Sequence, residues 1–283
     1  IEAALVEVNN LASTWQKDSE ISLFNTHTGT DWVPVSADML GLMRQAQGIT
    51  AASEGAFDAT VGPLVNLWGF GPDKVPDRVP TEDAIKAAQA LAGLDAVAVR
   101  EDPPAFKKSD DAVYLDFSAF AKGYGVDQIA DVLRKRGNEN FLVEIGGELV
   151  ANGTNPRGAQ WKIGVEVPQD GASGVHTAVF LRDGGLATSG DYRNFFERDG
   201  VRYSHMIDPR TGRPIAHRLA SVSVFAADAA TADAWATALM VLGEQNGVRV
   251  AKDQGVAAYF LFKDGDTFSA TATPAFEPLL TEE

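Results

Sequence analysis

The sequence predicts an α+β protein, with mixed or antiparallel sheets packed against helices. Three observations lead there. Apolar residues recur with helical spacing in several segments, as amphipathic helices require. Other segments are short, rich in β-branched and aromatic residues, and bounded by glycine, as strands are. The two kinds are mixed along the chain rather than strictly alternating, which disfavours a doubly wound parallel sheet. No internal repeat, linker or clean boundary interrupts the pattern. Residues 1–283 therefore read as one domain, with room for two intimate lobes.

The elements follow in order. Leu5, Val8, Ala12 and Trp15 share one helical face. A second helix is expected after Ser36, with Met39, Leu42, Met43 and Ala46 turned inward. A third follows Thr81 as cap and stops at Gly93. The segment from Gly62 to Pro72 reads as a loop too apolar to be solvated. Val113–Asp116 reads as a short strand, followed by a helix at 122–136 whose last turn carries Arg134, Lys135 and Arg136 before Gly137. Strands are expected at 141–150, 160–167, 176–182, 201–207 and 219–225. A helix from Thr231 to Leu242 ends at Gly243. A shorter helix near 245–254 leads into a hairpin across Lys263–Asp266.

Composition narrows the chemistry. With 39 acidic against 24 basic residues the net charge is −15, a surface that repels nucleic acid and anionic membranes. An anionic ligand then needs local help from a metal, backbone N–H groups or placed cations. There is no cysteine, which removes thiolate nucleophiles and Cys-type metal centres. The four histidines (His27, His176, His205, His217) lack metal-ligand spacing, so a metal site is expected to be oxygen-based, favouring Mg²⁺. No stretch approaches the ~20 apolar residues of a membrane-spanning helix. The chain opens on Ile1-Glu2-Ala3-Ala4-Leu5 without a basic-then-apolar leader, as expected of a processed or trimmed form.

Four clusters can carry chemistry, and each also has a plain structural reading. Asp233 and Thr237 stand one turn apart on a helix face, as two oxygen ligands of a metal would. They also suit a helix start, where an Asp answers the dipole and a Thr bonds back to a carbonyl. The run Asp116 to Asp127 joins a strand end to a helix start. Lys122 opposes the helix dipole there, either as an anion-binding cation or as a surface lysine. His205 precedes the turn Asp208-Pro209-Arg210-Thr211-Gly212, as a general base or as a structural residue. Gly55 to Leu64 allows close backbone approach, and Phe57 or Trp68 either borders a flat ring or fills the core. The Gly146-Gly147 pair reads as a bulge or a close approach.

Together and in order, these segments resemble the ApbE family, the FAD:protein FMN transferases. The matching runs are Asp18–Asn25, Phe57–Gly71, Asp116–Asp127, Glu144–Glu148, Ala187–Tyr192, His205–Pro214 and Ala232–Leu239. The resemblance implies a fold related to the T-fold, FAD as donor and Mg²⁺ at its pyrophosphate. It assigns Asp233 and Thr237 as side-chain metal ligands and Ala119 as a carbonyl ligand. It gives Asp116, Lys122, Ala56, Phe57, Asp58 and the backbone at Ile207 as FAD contacts, with Trp15 against the flavin. His205 matches the family's base. The implied acceptor is a Thr or Ser hydroxyl on a protein of a respiratory or redox complex. The implied location is the periplasm or the outer face of the cytoplasmic membrane. Family members carry an upstream Met-Gly-Thr-type segment that helps hold FAD, and this chain begins after it.

The implied reaction is metal-assisted attack of that hydroxyl on the FMN phosphorus, with AMP as leaving group. One alternative, an FAD pyrophosphatase that releases FMN and AMP, would use the same pocket; another is a flavin-binding protein without turnover, against which the Asp233/Thr237 pair argues.

Overall fold

Leu149, Val150 and Ala151 are consecutive in one strand and all buried, a pattern that needs cover on both faces of a sheet. The computed structural model supplies that cover. It describes residues 1–72, 79–168, 174–190, 194–265 and 267–282. The chain divides into two compact units, each discontinuous in sequence. One comprises residues 1–5, 120–193 and 217–283, the other residues 6–119 and 194–216.

The first unit is built on a six-stranded antiparallel sheet. Its strands, from edge to edge, are Thr267–Ala272, Ala257–Asp264, Leu219–Ala226, Gly184–Gly190, Glu148–Asn152 and Phe141–Ile145. On one face, Val126, Ile129 and Ala130 of the helix Ala121–Lys135 pack with Phe141, Val143, Val150 and Ala229. On the other, Leu149, Ala151, Leu186, Tyr259 and Leu261 meet Val165, Val179 and Leu181 of the hairpin Trp161–Glu166/Val175–Leu181. The helix Ala229–Asp253 breaks at Gly243, whose φ of 75° leaves the helical region where the sequence places the stop.

The second unit holds the helices Glu20–Thr26, Ala37–Ala52, Gly62–Leu67 and Glu82–Gln89. It also has a three-stranded sheet in the order Val33–Pro34, Pro104–Lys108, Val97–Glu101. Ser36 and Thr81 cap their helices as expected, each hydroxyl accepting the N–H three residues on. Leu64, Trp68, Ile85, Ala88, Phe196 and Ile207 form its core cluster. That is why the run from Gly62 was too apolar for a solvated loop: it begins with a helix, Pro63 in its first turn, that buries Leu64.

Several expectations are corrected. The first helix spans Glu2–Ala12, so Trp15 lies past its end and is 65% exposed. The helix after Thr81 ends at Gln89, four residues short of Gly93. Val113–Asp116 joins no ladder. The Asn25 side-chain amide takes both backbone groups of Leu115, at 2.7 and 2.8 Å, and Ala59 O accepts the N–H of Asp116. The span 141–150 is two strands, because Gly146 and Gly147 both adopt positive φ and turn a two-residue hairpin. Val201–Ser204 pairs with Phe195–Arg198, and Ile207–Asp208 forms a separate bridge with Arg213–Pro214. The hairpin of Ala257–Asp264 with Thr267–Ala272 forms as expected, while Asp266 at its turn lies outside the described residues.

Candidate active site

The helix Ala229–Asp253 starts two residues earlier than its sequence suggests. Asp228, not Thr231, is the N-cap, its carboxylate accepting Thr231 N–H at 2.7 Å. Asp233 therefore falls in the second turn, where the helix dipole gives no reason for an acid. It is also only 2% exposed. The structural reading of Asp233 as a first-turn acid thus fails on position. Thr237, one turn on, lies with its Oγ1 3.3 Å from Ser189 Oγ on the strand Gly184–Gly190.

Two groups of the helix Ala121–Lys135 reach Asp233. Gly123 N–H donates to Oδ2 at 3.2 Å, satisfying one of the unpaired donors of that helix's first turn. Lys122 Nζ stands 3.4 and 3.5 Å from the two carboxylate oxygens. The lysine is closer to a second acid, 2.8 Å from Glu148 Oε1. Glu148 is as buried as Asp233, whereas the Lys122 side chain is half exposed. Burial raises the carboxyl of Asp233 far above the usual range, against the pull of Lys122. It raises Glu148 in the same way. Burial lowers the Lys122 ammonium, but Asp233 and Glu148 outweigh it and the net shift is upward.

This arrangement suits a hard cation. Two buried carboxylates share one lysine, so the cluster is short of positive charge. Glu148 Oε2 is buried without a hydrogen-bond partner. Asp233 and Thr237 offer a carboxylate and a hydroxyl, the oxygen donors that Mg²⁺ takes. Among the described residues no three His, Cys, Asp or Glu side chains gather as a metal cage. A carboxylate–hydroxyl pair completed by carbonyl or ligand oxygens is not such a cage.

The remaining expected residues belong to the second unit. Asp116 accepts Ser118 N–H at 2.8 Å, and Ala119 ends that stretch. Ala56, Phe57 and Trp68 are core residues, and Gly212 O holds the Trp68 Nε1–H at 2.9 Å. Asp58 accepts both the N–H and the hydroxyl of Thr60, and burial still raises its carboxyl. It borders an open pocket of about 490 Å³, lined also by Glu54, Gln89 and Arg210 and by none of the other expected residues. Ile207 is buried at the base of the Asp208–Gly212 turn, where Asp208 pairs with Arg210 at 2.9 Å. His205 follows the strand Val201–Ser204. Its Nδ1 lies 2.9 Å from Asn194 O, so the neutral ring is protonated at Nδ1 and basic at Nε2. Asp191 and Tyr192, the end of one matching run, lie outside the described residues.

Glu148 closes the matching run Glu144–Glu148, but nothing in its local sequence marks it as a site residue. Asp127 was also missed. Its carboxylate holds the N-terminus of the helix that carries Asp233, a contact across 102 residues that no local spacing signals.

Comparison with known proteins converges on one family. The family model described as "ApbE family" matches residues 1–260. The FAD:protein FMN transferase of Vibrio cholerae serotype O1 is 44% identical over 282 residues, covering 100% of this chain and 84% of that protein. That of Escherichia coli K12 is 39% identical, covering 100% and 81%. The solved flavin transferase ApbE from Vibrio cholerae superposes with a TM-score of 0.90 at 43% identity, covering 99% of this chain and 88% of that one. The apo flavinyl transferase ApbE of Pseudomonas stutzeri gives 0.89 at 42% identity, covering 99% and 86%. On a family match across nearly its whole length, this chain belongs to the ApbE family.

Proposed function

We infer that this chain transfers FMN from FAD to a protein. Relatives 39–44% identical over its full length carry that activity in their names. The observation in the molecule that best supports the reading is Asp233: buried, past the first helical turn and paired with a half-exposed lysine.

The chemistry proposed for each residue follows from its surroundings. Asp233 and Thr237 would hold a magnesium ion. Bound there, the ion supplies positive charge at the FAD pyrophosphate and the departing AMP. Lys122 presents its ammonium at the surface of the same cluster, able to donate charge-assisted hydrogen bonds to phosphate oxygens. Asp116, Trp15, the Ala56-Phe57-Asp58 segment and the backbone at Ile207 are proposed to contact FAD. His205 Nε2 takes the proton of the acceptor's Thr or Ser hydroxyl. The hydroxyl oxygen bonds to the FMN phosphorus as the phosphoanhydride bond to AMP breaks, leaving FMN on the acceptor as a phosphoester. The acceptor is proposed to be a protein of a respiratory or redox complex outside the cytoplasm, a reading that rests on family resemblance.

The test is mass spectrometry of a Thr-containing acceptor incubated with protein, FAD and Mg²⁺. A gain of one FMN supports transfer. Release of FMN and AMP with no gain, in the presence of acceptor, would replace it with a pyrophosphatase.

A further inference from the structure

Lys122 faces two carboxylates but does not share itself equally. Its Nζ makes a direct charge-assisted bond to Glu148 Oε1 at 2.8 Å, and only marginal contacts of 3.4 and 3.5 Å with Asp233. Among the described residues Glu148 and Asp233 are the carboxylates that pair with Lys122, while Glu144, also on the sheet, is engaged by Gly147 N–H. A lysine seated on Asp233 competes with any metal for the same carboxylate. Glu148 is also placed with care. It follows the Gly146-Gly147 turn directly, and a Cβ on Gly146 would lie 3.7 Å from Glu148 Oε2 and 4.0 Å from Lys122 Cδ, so the turn covers the pair closely. A carboxylate buried there, one oxygen without a hydrogen bond, is costly to keep.

We propose that Glu148 is a positioning residue: it holds Lys122 on the strand side of the cluster and so leaves Asp233 available to the metal. The idea rests on the magnesium assignment made for Asp233 and extends it to a residue with no assigned role. In this arrangement the lysine stays within reach of a phosphate ligand while the aspartate keeps its charge for the cation. Loss of Glu148 releases Lys122 onto Asp233, and metal binding weakens although no ligand has been removed.

The experiment titrates Mn²⁺ into the folded protein, with and without FAD, and reads free Mn²⁺ by electron paramagnetic resonance. Circular dichroism confirms that each variant is folded. Glu148→Gln keeps the side-chain shape and should weaken Mn²⁺ binding by about tenfold, the scale set by coupling between close charges. The double variant Lys122→Met/Glu148→Gln removes the competitor as well and should recover affinity to within about threefold of the parent. Unchanged affinity in Glu148→Gln overturns the proposal. So does a double variant as weak as the single one, which would make Glu148 a ligand or a purely structural residue. Asp233→Ala separates the two readings: if it binds Mn²⁺ as tightly as the parent, the metal assignment itself falls and takes this proposal with it.

Discussion

The carboxylate of Asp127 accepts two consecutive backbone N–H groups of another helix, Ala229 at 2.8 Å and Ala230 at 2.9 Å. These are the first two donors of the helix that carries Asp233 and Thr237, and Ala229 and Ala230 are both buried. The two hydrogen bonds are part-buried, so water makes up only in part for a lost carboxylate. At pH 5 or below, where its contribution is largely retained, Asp127→Ala should lower stability by roughly 2 kcal/mol, because two donors at the helix start lose their partner. Urea unfolding measures it. A loss below about 0.5 kcal/mol would mean that the helix start is held by its packing alone.

The same residue gives a pH signature. Burial raises the Asp127 carboxyl to about 6, against the two N–H groups that lower it. A folded value above the unfolded one, about 3.9, means that its contribution is fully present below pH ~4 and is lost as pH rises through 6. Asp127→Asn does not titrate in this range. The stability of the parent relative to this variant should thus improve as the pH falls from 7.5 to 5. A difference that stays flat with pH would show that the two N–H groups cancel the cost of burial.

Gly123 brings the two helices into backbone contact. A Cβ there would overlap the carbonyl of Ala229, and one at Gly185, on the adjacent strand, would overlap Ala229 N. Neither obstacle is a flexible side-chain end. Gly123→Ala should force the helices apart, at a cost of about 3 kcal/mol, and move the N–H that donates to Asp233. Thermal unfolding together with Mn²⁺ titration tests it. Near-parental values for both would show that the interface can relax.

The caps at Ser36 and Thr81, the break at Gly243 and the Asp233/Thr237 spacing could be read because each depends on residues within one turn of one another. What could not be read depends on distant partners. Val113–Asp116 has a strand's alternation, yet Asn25, 90 residues away, occupies the backbone groups that a ladder would need. The strand Gly184–Gly190 opens on two glycines, since a Cβ at Gly185 would overlap Ala229 N and one at Gly184 would overlap Ala226 O and the Phe225 ring. Its composition therefore hides it. Phe57 and Trp68, candidates for a ring stack, are core residues, and nothing local distinguishes the two uses. In the site, Asp233 was legible by spacing. Its lysine was legible only as a cation against the dipole, and Glu148 not at all, since their meeting depends on how the sheet lies against both helices.

Asp233 should separate stability from function. Its ionised form is disfavoured by burial, so removing it takes away a costly charge together with one hydrogen bond from Gly123. Lys122 keeps Glu148 as partner. Asp233→Ala is thus expected to fold with a stability within about 1 kcal/mol of the parent while losing Mg²⁺-dependent transfer altogether. An unfolded variant would identify Asp233 as structural, and an active one would remove it from the metal site.

His205 separates binding from turnover in a different way. Its Nδ1 is committed to Asn194 O and its ring sits edge-on to Phe70 at 6.4 Å, so a replacement loses both orientation and the basic Nε2. As the base for the acceptor hydroxyl it contributes only once that hydroxyl is in place. His205→Ala should leave the Kd for FAD unchanged and reduce kcat by about 10²–10⁴. Exogenous imidazole should restore part of the rate, since it can enter the space left and accept the same proton. A structural histidine would not respond to imidazole, because lost packing is not repaired by a base in solution. Transfer measured by the mass gain of the acceptor, with imidazole titrated in, decides between the two. Rescue that rises with imidazole places the proton transfer at position 205, whereas a slow variant indifferent to it makes His205 a support for the loop held by Asn194.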